Sequence, residues 1–374
     1  MPKETALGER RVALVPETLA KLKGISILVQ RGAGEASGFE DSDYAEMGAS
    51  VVDDPKELHQ RADVILKVQP PTPAEVDLFR DASHLISFLY PLSNLETVRK
   101  LAEHHVTSFA MDLMPRISRA QSMDALSSQS TIAGYKAVII AAGSLPRLFP
   151  LLMTAAGTVA PARVLVIGAG VAGLQAIAVA RRLGALVSAY DVRPAAKEQV
   201  ASLGAKFVEI PVEAEDAQDK SGYAKAQSEE FYQKQQKFLA DRAHESDVII
   251  TTALVPGGRA PVLISEEAVE GMRRGSVIVD LAAEQGGNCA LTEAGKVVVK
   301  HGVTIHGPLN LPSTVAPQAS QFYSRNISAF LSTMLKDGSL KVDLNDELVR
   351  GTLVTDKGEI VNQSVLAALQ GRGS

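Results

Sequence analysis

The chain has 374 residues, of which 46% are hydrophobic, so it is long enough to form two domains with full cores. Its formal net charge of −5 and the lack of a long basic block argue against nucleic acid as a partner. The single cysteine, Cys289, excludes an internal disulfide framework and indicates a reducing compartment, the cytoplasm.

The apolar stretches of the chain do not have the pattern of membrane spans. Residues 1–11 lack the apolar stretch of a signal peptide. Residues 164–180 are uncharged and mostly apolar, but the stretch is too short and contains glycines. Prolines interrupt the apolar residues 137–162. We therefore expect no direct membrane insertion, although docking onto a membrane partner remains open.

The first part of the chain alternates short strands with helices, which is the rhythm of a parallel sheet. The pattern predicts strands at 25–30, 64–68, 84–89 and 108–111, a helix at 95–104, and a mainly helical connection at 130–149. A second sheet is predicted from strands at 163–167, 206–209, 248–252, 277–280 and 303–305.

Between the second and third strands of this sheet lies a polar stretch, residues 212–242. We interpret it as a solvated loop that leads into a surface helix; the alternative is a mobile lid over a ligand. After a helix at 317–336, residues 348–361 are predicted to form strand-and-turn units that complete the first domain.

The predicted fold class is therefore α/β, with two Rossmann-like domains, parallel sheets and a cleft between them. Residues 1–127 and 311–374 would form the first domain, and residues 128–310 the second.

The strongest chemical signal is a glycine motif between a strand and a helix. Gly168, Gly170 and Gly173 fit the spacing G-x-G-x-x-G, and they follow the apolar residues 164–167. In a dinucleotide-binding turn, these glycines allow the tight turn, the approach of the pyrophosphate, and close packing of helix on strand. The backbone amides that open the helix, at Val171, would face the phosphates. The alternative is a glycine-rich turn without a ligand.

Asp191 ends the next predicted strand, 18 residues after Gly173. A carboxylate there can accept hydrogen bonds from both ribose hydroxyls and would repel a 2′-phosphate, which favours NAD(H) over NADP(H). Arg193, two residues further on, points the other way, because an arginine can accommodate that phosphate.

Other polar loops follow predicted strands, where open α/β sheets bind ligands. Residues 116–129 gather an arginine, an amide, a carboxylate and hydroxyls that suit a nicotinamide nucleotide, although a solvated connection is the alternative. Leu254 begins a turn after the strand at 248–252, and Asp280, Glu284 and Gly287 follow the strand at 277–280. None of the seven histidines lies in a clear loop beside the glycine turn, and hydride transfer between two nicotinamides needs no base.

Five runs of residues together resemble one known family. ERRVALVPE, MPRISRAQSMDALSSQS, VLVIGAGVAGLQAIA, LVPGGRAPVLI and VIVDLAAEQGGNC are similar to the NAD(H)-binding domain I of proton-translocating NAD(P) transhydrogenases, a family that also includes alanine dehydrogenase. The resemblance implies a homodimer that binds NAD(H) and docks onto a domain III carrying NADP(H). It also implies a membrane domain that couples hydride transfer to proton translocation, so the chain would be peripheral to the inner membrane.

The resemblance also implies roles for individual residues. Arg116, Gln121, Asp124 and Ser127 match the family's nucleotide-contacting loop, in which the glutamine orients the nicotinamide; Arg116, Gln121 and Asp124 are the expected catalytic set. Tyr223 matches the tyrosine of the family's mobile loop. No metal site is expected.

Alanine dehydrogenase provides the discriminating comparison. Its substrate-binding arginine and lysine match Arg11 and Lys67, but its catalytic histidine falls at Tyr90 and its catalytic aspartate at Glu284. Without the histidine, Arg11 and Lys67 are expected to be structural ion-pair partners. The alternatives to a transhydrogenase subunit are an NAD-dependent alanine or amino-acid dehydrogenase using Lys67 and Glu284, and a non-catalytic nucleotide sensor.

Overall fold

The computed structural model describes residues 1–210, 229–255 and 258–371. The chain divides into two compact units: Met1–Gln129 with Pro312–Ser374, and Ser130–Leu311. Each unit is an α/β structure around its own parallel-rich sheet, which confirms the predicted fold class of two Rossmann-like domains.

Short strands and helices alternate along the described residues, as in sheets joined by helical crossovers. The strands are β1 (Leu28–Gln30), β2 (Ser50–Val52), β3 (Val64–Leu66), β4 (His84–Ser87), β5 (Thr107–Ala110), β6 (Leu152–Thr154), β7 (Gly157–Val159), β8 (Arg163–Ile167), β9 (Leu186–Tyr190), β10 (Lys206–Phe207), β11 (Val248–Thr251), β12 (Val277–Asp280), β13 (Val297–Lys300), β14 (Val303–His306), β15 (Leu335–Lys336), β16 (Ser339–Leu340), β17 (Leu353–Asp356) and β18 (Glu359–Ile360). The helices are α1 (Pro16–Leu19), α2 (Asp41–Glu46), α3 (Pro55–Arg61), α4 (Pro73–Val76), α5 (Leu95–Glu103), α6 (Ala125–Ser144), α7 (Val171–Arg182), α8 (Ala196–Ser202), α9 (Glu229–His244), α10 (Glu266–Glu270), α11 (Ala316–Met334), α12 (Glu347–Thr352) and α13 (Gln363–Gly371).

The sheet of the second unit has the strand order β10-β9-β8-β11-β12-β14-β13. Neighbouring strands are parallel except for β13, which pairs antiparallel with β14 at the edge. The chain runs outwards from β8 through β9 and β10, then returns to the other side of β8 with β11. A topological switch point therefore lies between β8 and β11, and open α/β sheets bind ligands at the carboxyl ends of the strands there.

The second sheet is covered on both faces, because its strands are apolar at every position. In β8, Val164 and Val166 belong to a core that includes Ala176 of α7. Leu165 and Ile167 belong to a separate core that includes Leu239 of α9. This alternation of faces is the two-residue period of a strand buried on both sides.

The sheet of the first unit has the strand order β18-β17-β5-β4-β3. β3, β4 and β5 are parallel, and β17 from the carboxyl-terminal segment pairs antiparallel with β5. One face packs on α11 through Phe109 and Phe330, whose ring centroids are 5.8 Å apart. The other face packs on α5 through Leu85 and Leu101.

The prediction of strand-and-turn units over residues 348–361 is wrong at its start, because Glu347–Thr352 forms α12. The Asp346 carboxylate accepts a hydrogen bond of 2.9 Å from the Leu348 N–H and so caps this helix. Leu348, Val349 and Thr352 are buried on one side of it, which favours a helix over an extended strand. The predicted strands begin only at β17.

The hairpin of β6 and β7 was not predicted from the sequence. Its strands are antiparallel, with Leu152 opposite Val159, and every residue of both strands is exposed. The stretch reads as an apolar segment broken by prolines, so it lacks the alternation of polar and apolar residues that would indicate a strand.

Candidate nucleotide site

The glycine turn follows β8 at the switch point of the second unit's sheet. Gly168 has a φ of +94°, and a Cβ there would lie 2.5 Å from the Oγ1 of Thr252. A Cβ at Gly173 would lie 1.8 Å from the carbonyl oxygen of Gly168, so only glycine allows α7 to approach β8 this closely. The packing of the turn itself therefore requires both glycines.

Gly170 differs from these two glycines, because nothing in the protein requires it. Its φ of −75° and ψ of −168° are open to any residue, and a Cβ there would meet no atom within 4 Å. It is the N-cap of α7, whose first residue, Val171, is 43% exposed. The backbone amides at a helix N-terminus bind phosphate, so this space fits a dinucleotide whose pyrophosphate lies where a side chain would otherwise be.

Asp191 links the end of β9 to the glycine turn. Its Oδ2 accepts a hydrogen bond of 2.7 Å from the Ala169 N–H, and its Oδ1 accepts one of 2.8 Å from the Arg193 N–H. The Arg193 guanidinium also contacts both oxygens, with Nε 2.9 Å from Oδ1 and Nη2 2.9 Å from Oδ2. These hydrogen bonds to Asp191 raise the pKa of Arg193. The predicted ribose-binding acid thus lies beside the turn, in contact with the arginine predicted to be near it.

Asn288, which the sequence analysis missed, holds the loop after β11. This buried amide accepts a hydrogen bond of 3.0 Å from the Ala253 N–H and donates to the carbonyl oxygens of Ala253 and Pro261 at 2.9 and 2.8 Å. Leu254, the next residue of the loop, is 45% exposed. The sequence around Asn288 indicated only a turn, because a buried amide leaves no pattern of its own.

Asp280 is a buried structural anchor rather than an exposed acid. Its carboxylate accepts hydrogen bonds from Thr251 Oγ1 at 2.8 Å, from the Asn288 N–H at 2.8 Å, and from Thr292 Oγ1 at 2.7 Å. Gly287 has a φ of +83°, and a Cβ there would lie 2.8 Å from Asp280 Oδ2. This contact explains Gly287, and its predicted role in nucleotide binding stays a prediction.

In the first unit, the predicted nucleotide-contacting loop contains a 3₁₀ helix at Ser118–Met123 and leads into α6. The residues Arg116 and Gln121 are exposed. Asp124 precedes α6, and its carboxylate accepts hydrogen bonds from the N–H and the Oγ of Ser127 at 2.8 and 2.6 Å. Asp124 therefore caps α6 and fixes Ser127 beside it.

Asn326 of α11 anchors this loop, although it is about 200 residues away in sequence. Its Nδ2 donates to the Ser122 carbonyl oxygen at 2.9 Å, and its Oδ1 accepts a hydrogen bond of 2.7 Å from Ser128 Oγ. Ala120 and Met123 are buried in the core beneath. The loop has a defined shape because these contacts hold it, and no local sequence pattern indicates Asn326.

Arg11 forms a buried ion pair with Glu9. Its Nε and Nη2 lie 2.8 and 2.6 Å from the two carboxylate oxygens, and its Nη1 donates to Gln129 Oε1 at 2.9 Å. Burial alone would raise the pKa of Glu9, but the hydrogen bonds and charge of Arg11 outweigh it and hold that pKa at about 2.

Lys67, which follows β3, forms a second buried ionic cluster. Its ammonium group is 1% exposed and lies 2.8 Å from Glu75 Oε1 and 3.5 Å from Glu4 Oε2. Burial acts to lower the pKa of Lys67, but the two carboxylates raise it above its ordinary value. Arg11 and Lys67 are therefore ion-pair partners, as expected when the catalytic histidine is absent.

The positions that match the dehydrogenase's catalytic residues have other contacts here. The Tyr90 ring stacks on Phe88 with centroids 5.5 Å apart, and its N–H lies 3.1 Å from the buried Asp112 carboxylate. The Glu284 carboxylate accepts a hydrogen bond of 2.7 Å from the Asn310 N–H. An imidazole titrates near neutral pH and a phenol does not, so Tyr90 cannot replace a histidine as a base.

Tyr223 and most of the predicted lid lie outside the described residues. The predicted surface helix is present as α9, which begins at Glu229. Across the described ranges, no group of His, Cys, Asp or Glu side chains could hold a metal ion. No helix among those assigned above is long and apolar enough to cross a bilayer.

Two family models match the chain and together span most of it. The model for the N-terminal domain of alanine dehydrogenase/PNT matches residues 1–133, and the model for the C-terminal domain matches residues 137–363.

Individual relatives match over the full length. The chain is 50% identical over 384 residues to the first of the separate polypeptides of NAD(P) transhydrogenase subunit alpha in Rhodospirillum rubrum, covering 100% of this chain and 99% of the relative. A solved structure of transhydrogenase from Sinorhizobium meliloti has a TM-score of 0.84 at 45% identity, covering 97% of this chain and 98% of the other. A solved L-alanine dehydrogenase has a TM-score of 0.81 at 26% identity, covering 99% and 98%.

Proposed function

The chain belongs to the alanine dehydrogenase/PNT family, and from this premise we propose that it is the NAD(H)-binding subunit of a transhydrogenase. The observation that carries the proposal is the open glycine turn at the switch point, bordered by Asp191. In this proposal Gly168, Gly170, Gly173 and the first amides of α7 hold the pyrophosphate of NADH, and Asp191 binds its adenosine ribose.

The reaction we propose is direct hydride transfer between two nucleotides. A hydride leaves C4 of the NADH nicotinamide with its electron pair and adds to C4 of NADP⁺, which a partner subunit holds. No proton is released in this step, so no general base is needed, which agrees with Tyr90 at the dehydrogenase's histidine position. A membrane subunit of the same complex would couple the transfer to proton translocation.

The polar loop of the first unit would position the reacting end of NADH. Gln121, whose side chain is exposed, would orient the nicotinamide and its ribose. Arg116 and the Asp124–Ser127 pair would contact the carboxamide and phosphate region. The capping of α6 and the Asn326 contacts support this role, because positioning a reactant needs a loop of fixed shape. Tyr223 and Leu254 would complete the contacts.

We also propose a homodimer that is peripheral to a membrane through its partner subunits. Its support is the β6–β7 hairpin, where Leu152 is 39%, Met153 79% and Val159 40% exposed. Apolar side chains grouped in this way favour burial against another protein surface, here a second copy. Sedimentation of the purified chain at micromolar concentration should give a dimer, and a monomer would contradict this aspect of the proposal.

The alternative function is an NAD-dependent alanine dehydrogenase, which Arg11, Lys67 and the structural likeness favour. One experiment separates the two functions. The purified chain should bind NADH tightly and NADPH poorly, and should not reduce NAD⁺ with alanine. An added NADP(H)-binding partner should create hydride transfer from NADH. Reduction of NAD⁺ by alanine with this chain alone would overturn the proposal.

The Gln121→Ala variant tests the role of the loop. It should lower the hydride-transfer rate about 100-fold while the NADH dissociation constant changes little, because positioning contributes to the transition state rather than to binding. Ser122→Ala, at the neighbouring exposed position, is the matched control and should keep the rate. Equal losses in both variants would show a general disturbance of the loop instead.

A further inference from the structure

The Asp191 carboxylate has no acceptor position left for a new donor. Its Oδ1 accepts from the N–H and the Nε of Arg193, and its Oδ2 accepts from the Ala169 N–H and Arg193 Nη2. A carboxylate has about four lone-pair sites, and four hydrogen bonds fill them. Two of these come from the Arg193 side chain, which is only 21% exposed.

A ribose diol that binds Asp191 must therefore replace the Arg193 side chain. The two main-chain bonds can remain, because they come from the turn and from the residue after the strand. The guanidinium is then released at the edge of the ribose site. It carries the fork of donors that binds phosphate in a bidentate manner, which is the group that an NADP(H) site provides.

A 2′-phosphate meets the opposite situation at the same place. It offers acceptors and negative charge, so it cannot donate to Asp191 and is repelled by it. It could bind only through Arg193, but the Asp191 carboxylate already holds that side chain through two hydrogen bonds.

We propose that Arg193 is a specificity-determining residue of the nucleotide site, a 2′-phosphate ligand that Asp191 keeps occupied. The Asp191–Arg193 pair, rather than Asp191 alone, selects NAD(H) over NADP(H). The inference rests on the proposed function, in that NAD(H) binds at this glycine turn.

The test is a comparison of three variants by titration with NADH and NADPH. Asp191→Asn removes the charge that holds Arg193 but keeps an oxygen for the Ala169 N–H, so the turn should be preserved. NADPH affinity should rise at least tenfold and NADH affinity should fall about tenfold. Adding Arg193→Ala should abolish the gain in NADPH affinity. Adding Lys197→Ala, which removes an exposed cation paired with Glu209, should leave the gain intact.

A smaller probe locates the effect at the 2′ position. In the Asp191→Asn variant, adenosine 2′,5′-bisphosphate should bind more tightly than 5′-AMP, and the order should reverse in the wild-type protein. Thermal unfolding checks that each variant is folded, and Asp191→Ser provides a second route if the asparagine variant is not.

The outcomes separate this inference from the proposed function. Wild-type protein that fails to bind NADH would overturn both. Tight NADH binding by the wild type, with no gain of NADPH affinity in either Asp191 variant, would overturn the role of Arg193 alone. The same follows if the gain survives Arg193→Ala.

Discussion

The carboxyl ends of the strands differ between the two units. After β8, the second unit presents backbone amides and open space beside Gly170. After β3, the first unit presents Lys67, whose charge is buried against Glu75 and Glu4. The same α/β architecture therefore leaves donors accessible in one unit and uses its charges internally in the other. Polar residues at strand ends indicate a ligand only where their own protein has not already paired them.

This contrast predicts two kinds of response to substitution. Changes in the buried ionic cluster should alter the free energy of unfolding, whereas changes in the glycine turn should alter nucleotide affinity.

The largest effect is expected for Lys67→Ala, which leaves two carboxylates buried without their cation. Removing one partner of a buried ion pair typically costs about 3–5 kcal/mol of unfolding free energy. Lys100→Ala is the control, because the Lys100–Asp77 pair is more exposed, and exposed pairs contribute about 0.2–1 kcal/mol. Urea unfolding measures both values. Similar losses in the two variants would mean that the Lys67 cluster does not behave as a buried one.

The next effect is the pH dependence that Glu9 contributes. Its pKa is about 2 in the folded protein and 4.5 ordinarily. The stabilisation is therefore complete above pH 4.5 and is lost as the pH falls towards 2. At about 1.4 kcal/mol per pKa unit it amounts to roughly 3 kcal/mol, of which about 2 kcal/mol disappears between pH 6 and pH 3.

Glu9→Gln tests this dependence. The variant should lose about 2 kcal/mol less than the wild type between pH 6 and pH 3, measured by urea unfolding at both pH values. Glu293→Gln, at an exposed surface pair, should leave the pH dependence close to that of the wild type. Parallel curves for Glu9→Gln and the wild type would show that Glu9 is not the source.

The smallest effect in free energy is expected in the open region. Gly170→Ala introduces a methyl group that meets no protein atom, so the unfolding free energy should change by less than about 1 kcal/mol. The NADH dissociation constant should rise at least tenfold, about 1.4 kcal/mol, because the methyl group occupies the pyrophosphate space. Gly143→Ala, also in open space but within α6, should keep the affinity. Unchanged NADH binding in Gly170→Ala would place the nucleotide elsewhere.

The sequence predicts the sheets better than it predicts the contacts that shape the site. Strands such as β8 and β11 are continuous apolar runs, and their burial on both faces follows directly from that composition. The glycine turn is predictable for a similar reason, since its spacing reflects local geometry. The α12 helix was missed because its cap and its buried face depend on tertiary packing.

The site residues that could not be predicted act over long distances in sequence. Asn326 fixes the loop at Ser122, and Asn288 fixes the loop at Ala253, but neither lies in a recognisable motif. Asp280 was placed correctly at a strand end, yet its burial could not be read from its position. The pairing of Asp191 with Arg193 was open for the opposite reason: both residues were visible, but their spacing does not say whether they touch.

The hydroxyl of Thr252 donates a hydrogen bond of 3.0 Å to the carbonyl oxygen of Gly168, which joins the turn to the strand beside it. The turn is thus part of the hydrogen-bonded framework of the sheet and needs no ligand to adopt its shape. A nucleotide arriving there immobilises few backbone torsions, so little conformational entropy is lost on association. NADH should therefore bind without a slow unimolecular phase attributable to the turn, and the observed rate should increase linearly with nucleotide concentration.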